Sequence, residues 1–93
     1  MNARAVRLEL RARLDLGDYA ADAIWSPDGR NLVVAGGQGA LLWVDCAAAD
    51  AGAQRFGEHA GGALTVAWQG AGRLLASSGQ DGEVRLWDAR SRE

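Results

Sequence analysis

The feature that most constrains this 93-residue chain is an internal repeat marked by tryptophans. Ile24-Trp25-Ser26-Pro27-Asp28-Gly29-Arg30 lines up with Ala67-Trp68-Gln69-Gly70-Ala71-Gly72-Arg73, so the Trp, Gly and Arg positions recur at a spacing of 43 residues. Further along, Leu41-Leu42-Trp43 lines up with Arg85-Leu86-Trp87 at a spacing of 44. Units of this kind cannot bury an apolar face alone and gain stability by stacking on their neighbours. A period of roughly 40–45 residues predicts a four-stranded sheet per unit, the blade of a β-propeller.

Local chemistry within each unit agrees. Leu32 to Ala35 and Leu74 to Ser78 are short apolar or small runs bounded by Gly, Asn or Arg, too brief for helices. Ser26-Pro27-Asp28-Gly29 is a turn in which Pro presets φ, Asp bonds the local backbone and Gly accepts φ > 0. Gln80-Asp81-Gly82 predicts a hairpin, and Glu83 to Trp87 alternates polar and apolar as a half-buried strand does. In the opening segment Val6, Leu8, Leu10, Ala12, Leu14 and Leu16 share one parity, while Arg7, Glu9, Arg11, Arg13 and Asp15 share the other. Leu, Arg, Glu and Ala are good helix formers. A helix would nonetheless scatter these leucines around its circumference, so period two predicts a strand over Val6 to Leu14. Asp45 to Gly52 reads as a loop, and Gln54 to Phe56 as one further short strand.

Size and composition narrow the function classes. A chain this short buries only about 60% of its unfolded surface and needs additional support. Cys46 and His59 are the only residues of their types, so neither an intrachain disulfide nor a metal staple is expected, and a single thiol suits a reducing compartment. Partner chains or further sequence must then supply the support. A formal net charge of −2, with arginine as the only basic residue type, leaves no electrostatic footprint for nucleic acid. The apolar runs fall far short of the ~20 residues of a membrane span. The start does not resemble a secretory signal. A soluble cytoplasmic protein is the expectation.

From Gly57 to Asp88 the second unit resembles a WD repeat. It carries His59, Ala63, Val66, Trp68, the run Gly72 to Ser77, and Asp81-Gly82-Glu83-Val84-Arg85-Leu86-Trp87-Asp88, which ends in the Trp-Asp pair that gives the family its name. The first unit resembles a degenerate copy. Its Trp43-Val44-Asp45 separates Trp from Asp by one residue, Leu16 stands for His59, Val34 for Ser77, and Gly39 lacks a preceding Asp. The resemblance implies an all-β fold of two four-stranded antiparallel blades, an incomplete propeller that needs further blades in cis or in trans. Its parts would be an N-terminal outer (closure) strand over 1–16, a degenerate repeat over 17–45, a loop over 46–53, a second repeat over 54–89 and a tail over 90–93. Each family repeat runs from an outer strand to three inner strands of the next blade. The last blade, ending at Trp87, should therefore lack its outer strand.

The same resemblance implies that His59, Ser77, Asp81 and Trp87 form a buried structural hydrogen-bond tetrad. A buried indole N–H needs an acceptor and a buried carboxylate needs donors, which a hydroxyl and an imidazole can link. These residue types would also suit a nucleophile triad, but the structural role explains them and no oxyanion-hole motif accompanies them. No catalytic residue, cofactor or metal is therefore assigned. The first unit cannot form the tetrad, so Trp43 must find another acceptor or stay exposed, and a weaker blade is expected. Trp25 and Trp68 are expected to fill the core between blades. Gly36-Gly37-Gln38-Gly39 reads as a hairpin turn and not as a phosphate loop or calcium repeat, because no Lys exists and Leu41 stands where that calcium pattern wants Asp. Arg7, Arg11 and Arg13 read as a solvated strand face interrupted by Glu9 and Asp15. Binding would fall on the loops Gly17 to Asp22, Gly36 to Gly39, Glu58 to Gly62 and Gly79 to Asp81, with Tyr19 as anchor and Asp22 beside it. The expected function is a non-catalytic protein–protein interaction scaffold, either a homo-oligomer or part of a longer propeller chain. The alternatives are a ligand-binding or enzymatic propeller with a central-channel site, and a non-functional gene remnant.

Overall fold

A computed structural model describes residues 7–92. Seven strands follow in order: β1 (Ala20–Trp25), β2 (Asn31–Gly36), β3 (Ala40–Asp45), β4 (Gln54–Glu58), β5 (Ala63–Trp68), β6 (Leu74–Gly79) and β7 (Val84–Asp88). They form two antiparallel sheets, one of four strands in the order β1-β2-β3-β4 and one of three in the order β5-β6-β7. The all-β architecture and the missing outer strand of the last sheet are as the sequence predicts. Residues 45–52, expected as a loop, contain instead a short 3-10 helix, Cys46–Ala51, whose first turn is capped by the Asp45 carboxylate accepting the Ala47 N–H.

The opening segment departs from expectation. Residues 7–16 form neither strand nor helix, and Val6 lies outside the described residues. A strand is held by ladder hydrogen bonds, so alternation creates one only where an open sheet edge lies alongside. This segment enters the first sheet at β1, whereas the outer edges belong to β4 and β7.

The repeat governs register. Trp25 pairs with Leu32 and Trp68 with Leu75; Val34 pairs with Leu42 and Ser77 with Arg85; Leu32 pairs with Val44 and Leu75 with Trp87. Even the register shift between Ala20 and Asp22 recurs between Ala63 and Thr65. Strands β1 to β3 of the first sheet thus map onto β5 to β7 by a uniform step of 43 residues. The spacing of 44 read from Leu-Trp is corrected: Val44 is the counterpart of Trp87, and Trp43 is the counterpart of Leu86. Side chains alternate faces along a strand, so this one-residue difference moves Trp43 to the other side of its sheet.

The sheets stack face to face. Ile24, Val33, Ala35, Leu41, Trp43 and Phe56 of the first meet Val66, Trp68, Leu75 and Trp87 of the second. Val33, Leu41 and Leu75 are fully buried, and each such side chain contributes about 1.5–3 kcal/mol on removal from water. Edge-to-face aromatic contacts run through the seam, with Trp43 centred 5.3 Å from Trp68 and Phe56 5.3 Å from Trp87. Trp68 takes its expected place in this core. Trp25 does not: it is exposed on the far face of the first sheet, where no further sheet among the described residues covers it.

The turns leading into β2 and β6 are equivalent. Gly29 and Gly72 have φ of 74° and 79°, a region only glycine enters without strain. In the first turn Ser26 and Asp28 add side-chain bonds: Ser26 Oγ donates to Asp28 Oδ1 at 2.6 Å and accepts the Asn31 N–H at 3.0 Å.

Candidate functional site: a hydrogen-bonded chain and the loops it holds

His59 follows β4, Ser77 lies in the middle of β6, Asp81 in the β6–β7 hairpin, and Trp87 near the end of β7. The structure brings the four together. His59 Nδ1 lies 3.0 and 3.1 Å from the two Asp81 carboxylate oxygens, His59 Nε2 lies 2.8 Å from Ser77 Oγ, and Trp87 Nε1 donates to Ser77 Oγ at 2.9 Å. Partner chemistry fixes the direction of every proton. The indole can only donate and the carboxylate can only accept. His59 therefore donates from Nδ1 to Asp81, and in that tautomer Nε2 accepts from the Ser77 O–H. His59 and Ser77 are buried. Gly79 is packed so closely against the His59 ring that a Cβ there would overlap it.

Asp81 also accepts the Glu83 N–H at 3.1 Å and has Arg85 Nη2 3.8 Å away. Its carboxyl is held below the ordinary value of 3.8, chiefly by the His59 hydrogen bond and secondarily by the Glu83 N–H, against some desolvation. Two other aspartates are depressed in the same direction. Asp28 is lowered first by Ser26 and then by the Arg30 N–H, and Asp88 by the N–H groups of Arg90 and Ser91.

The chain of bonds organises one end of the two sheets. His59 N donates to Gly39 O at 2.8 Å, and Gln80 N donates to Gly62 O at 2.8 Å. Backbone packs on backbone here, Gly39 against His59 O and Gly62 against Gly37 O, without room for a Cβ. Tyr19, exposed, lays its ring over Gly37, whose N–H donates to Tyr19 O at 2.9 Å. Ala20 to Asp22, expected as loop, belong to β1. Asp22 is a tie between sheets, its Oδ2 accepting the Val66 N–H at 3.1 Å. The Asp18 carboxylate joins the same cluster by accepting the Gln38 N–H at 2.7 Å.

The first repeat is built differently. Trp43 donates from Nε1 to Asn31 Oδ1 at 3.1 Å, a partner that sequence reasoning left unnamed. The signal was available: Asn31 opens β2, and its counterpart Leu74 has no polar function. Arg92 also stacks over the Trp43 ring at 4.5 Å. Trp68 Nε1 is buried without a hydrogen-bond partner, which sequence gave no reason to expect. It borders a pocket of about 550 Å³ at the opposite end, between Ser26, Trp43 and Arg73.

Among the described residues, no group of three or more His, Cys, Asp or Glu is placed to hold a metal ion, and no helix is long and apolar enough to cross a membrane. Two antiparallel sheets stacked face to face, each entered by the same turn and related by a fixed sequence step, define an unclosed sector of a propeller-type fold. Residues 53–88, the stretch that holds His59, Ser77, Asp81 and Trp87, match the family model described as WD domain, G-beta repeat. The first sheet shares its strand register at a step of 43 residues upstream. A search of curated proteins found no match.

Proposed function

We infer that the chain is a non-catalytic protein–protein interaction scaffold contributing two blades to a larger propeller, whose other blades come from further copies or from a longer chain. One observation carries this reading. Among the described residues, the one set with the chemistry of a nucleophile, base and orienting acid is already saturated. Ser77 Oγ accepts from Trp87 and donates to His59, and both ring nitrogens of His59 are engaged. Ser77 and His59 are buried, so no substrate atom can reach them without dismantling the blade. What the network does instead is hold the loops around Gly39, Gly62 and Gln80 in fixed positions, a rigid rim suited to recognition.

Tyr19 supplies the rim with its one large exposed aromatic, and a partner protein is expected to seat there. Asp22 contributes by fixing β1 against β5. A photoreactive amino acid in place of Tyr19 should form a discrete adduct with a different protein in the source cell. The same group in place of Gln69, in the turn at the opposite end, should not. Adducts from position 69 alone, or none from either, would sink the reading.

A further inference from the structure

We propose that the uncovered face of the second sheet docks the far face of the first sheet of a second copy of this chain, head to tail. The contact would reproduce between copies the stacking found within one. The proposal rests on the two-blade reading above and follows from the step of 43 residues.

Within one chain, the first sheet turns Leu41 and Trp43 toward the second, and they retain 0% and 5% exposure. Their counterparts one repeat later, Val84 and Leu86, point out of the second sheet on the equivalent face and are 72% and 67% exposed. Leu74 shares that face and is also exposed. An apolar row has been built for a third sheet that the described residues do not supply.

The kind of sheet that fits is also visible. Leu41 and Trp43 are covered by the face carrying Trp68, Leu75 and Trp87. The counterpart of that face in the first sheet carries Trp25, Leu32 and Val44, of which Val44 is already buried within one copy and Trp25 is left open. Trp25, in the slot of Trp68, is 59% exposed. One copy therefore presents both halves of a contact whose internal version already exists, and the two halves lie on different surfaces. Such a heterologous contact closes into a ring when its rotation allows.

Edge pairing gives the same answer. Within the chain β4 completes the first sheet by pairing Leu41 with Gly57 and Trp43 with Gln54. One repeat earlier than Gly57 stands Leu14, in the segment that forms no strand, and one repeat later than Leu41 stands Val84, on the open edge of β7. In the assembly Leu14 of a second copy lies opposite Val84, and its unpaired segment becomes the missing fourth strand. With two blades per copy, three or four copies close a ring within the roughly four to eight blades that propellers use.

The test uses the full chain. Light scattering should give a single species of three or four copies. In a Cys46→Ser background, V84C mixed with L14C should form an intermolecular disulfide, because opposed residues of an antiparallel pair fall within bridging distance. V84C alone should not cross-link to itself. Leu86→Arg, a change at an exposed position that leaves the fold of one copy intact by circular dichroism, should release monomers. A folded monomer at tens of micromolar, or V84C bridged to V84C in a face-to-face dimer, overturns the docking. If that happens while adducts from position 19 persist, the scaffold reading survives and the remaining blades come from elsewhere.

Discussion

Trp43 and Trp87 project from opposite faces of their sheets: Trp43 stands across from Val33 on the face that meets the second sheet, while Trp87 stands across from Leu75 on the tetrad face. The position of Trp87 is filled in the first sheet by Val44, that of Ser77 by Val34, and both valines are buried. With Leu16 and Gln38 at the positions of His59 and Asp81, the first repeat has an apolar or unrelated residue at every position of the network. Wholesale replacement of a polar network by apolar groups of suitable shape is nearly neutral, whereas partial loss leaves buried groups without partners.

Ser77→Val should therefore be costly although Val34 is tolerated at the equivalent site. It strands the Trp87 N–H and the His59 Nε2 lone pair together, for a loss of about 1–3 kcal/mol per orphaned group. Urea denaturation of the variant beside the parent chain measures this. An unchanged midpoint would show that the network does not hold the second sheet.

The Trp43–Asn31 bond is an isolated pair and gives a cleaner cycle. Asn31→Leu, which introduces the residue found one repeat later at Leu74, leaves a buried indole N–H without an acceptor and should cost about 1–3 kcal/mol. In a Trp43→Phe background the same change should cost much less, since no N–H remains to be stranded. Equal losses in both backgrounds would mean that Asn31 acts through packing alone.

Much of this was legible in the chain. Turn chemistry at Ser26 to Gly29 and at Asp81-Gly82 and the Trp25/Trp68 step follow local or repeating rules, and these survive without knowledge of the fold, whereas His59, Ser77, Asp81 and Trp87 were singled out only through the resemblance to a WD repeat. Two things were not legible. The Leu-Trp pairs at 42–43 and 86–87 look alike, yet only ladder pairing reveals that the hairpins have equal length and that Trp43 stands one residue short of the Trp87 position. Likewise, alternation over residues 7–16 records an apolar face but not the edge it requires. A strand is a property of two segments, and the second is absent from the neighbourhood of β1.

Acid should weaken the chain partly through Asp81. Its carboxyl titrates below 3.8 in the folded state because the His59 N–H favours the charged form. The stabilisation is then fully present above the unfolded value and is lost as pH falls through the lower folded value. Stability should rise with pH through the acid range up to the unfolded value of about 4, and Asp81→Asn should flatten part of that slope. Asp28 and Asp88, depressed in the same direction, retain the remainder. A slope identical in Asp81→Asn would assign the acid sensitivity to those two alone.

Gly79 and Gly37 offer a paired test of how rigid the rim is. A Cβ on either would overlap a ring, that of His59 in the first case and that of Tyr19 in the second. Steric overlap matters only in proportion to what the neighbour loses by moving. His59 is buried and bonded through both ring nitrogens, so it cannot yield without releasing Ser77 and Asp81. Gly79→Ala should then cost at least the ~1–3 kcal/mol typical of overpacking, with the broken bonds added. Tyr19 is exposed and can swing into solvent, so Gly37→Ala should fall near the ±0.5 kcal/mol of ordinary surface changes. Thermal or urea melts of the two variants should differ in that order. If instead Gly37→Ala were the more damaging, the Tyr19 ring would be a structural clamp on the β2–β3 hairpin and not a free anchor for a partner.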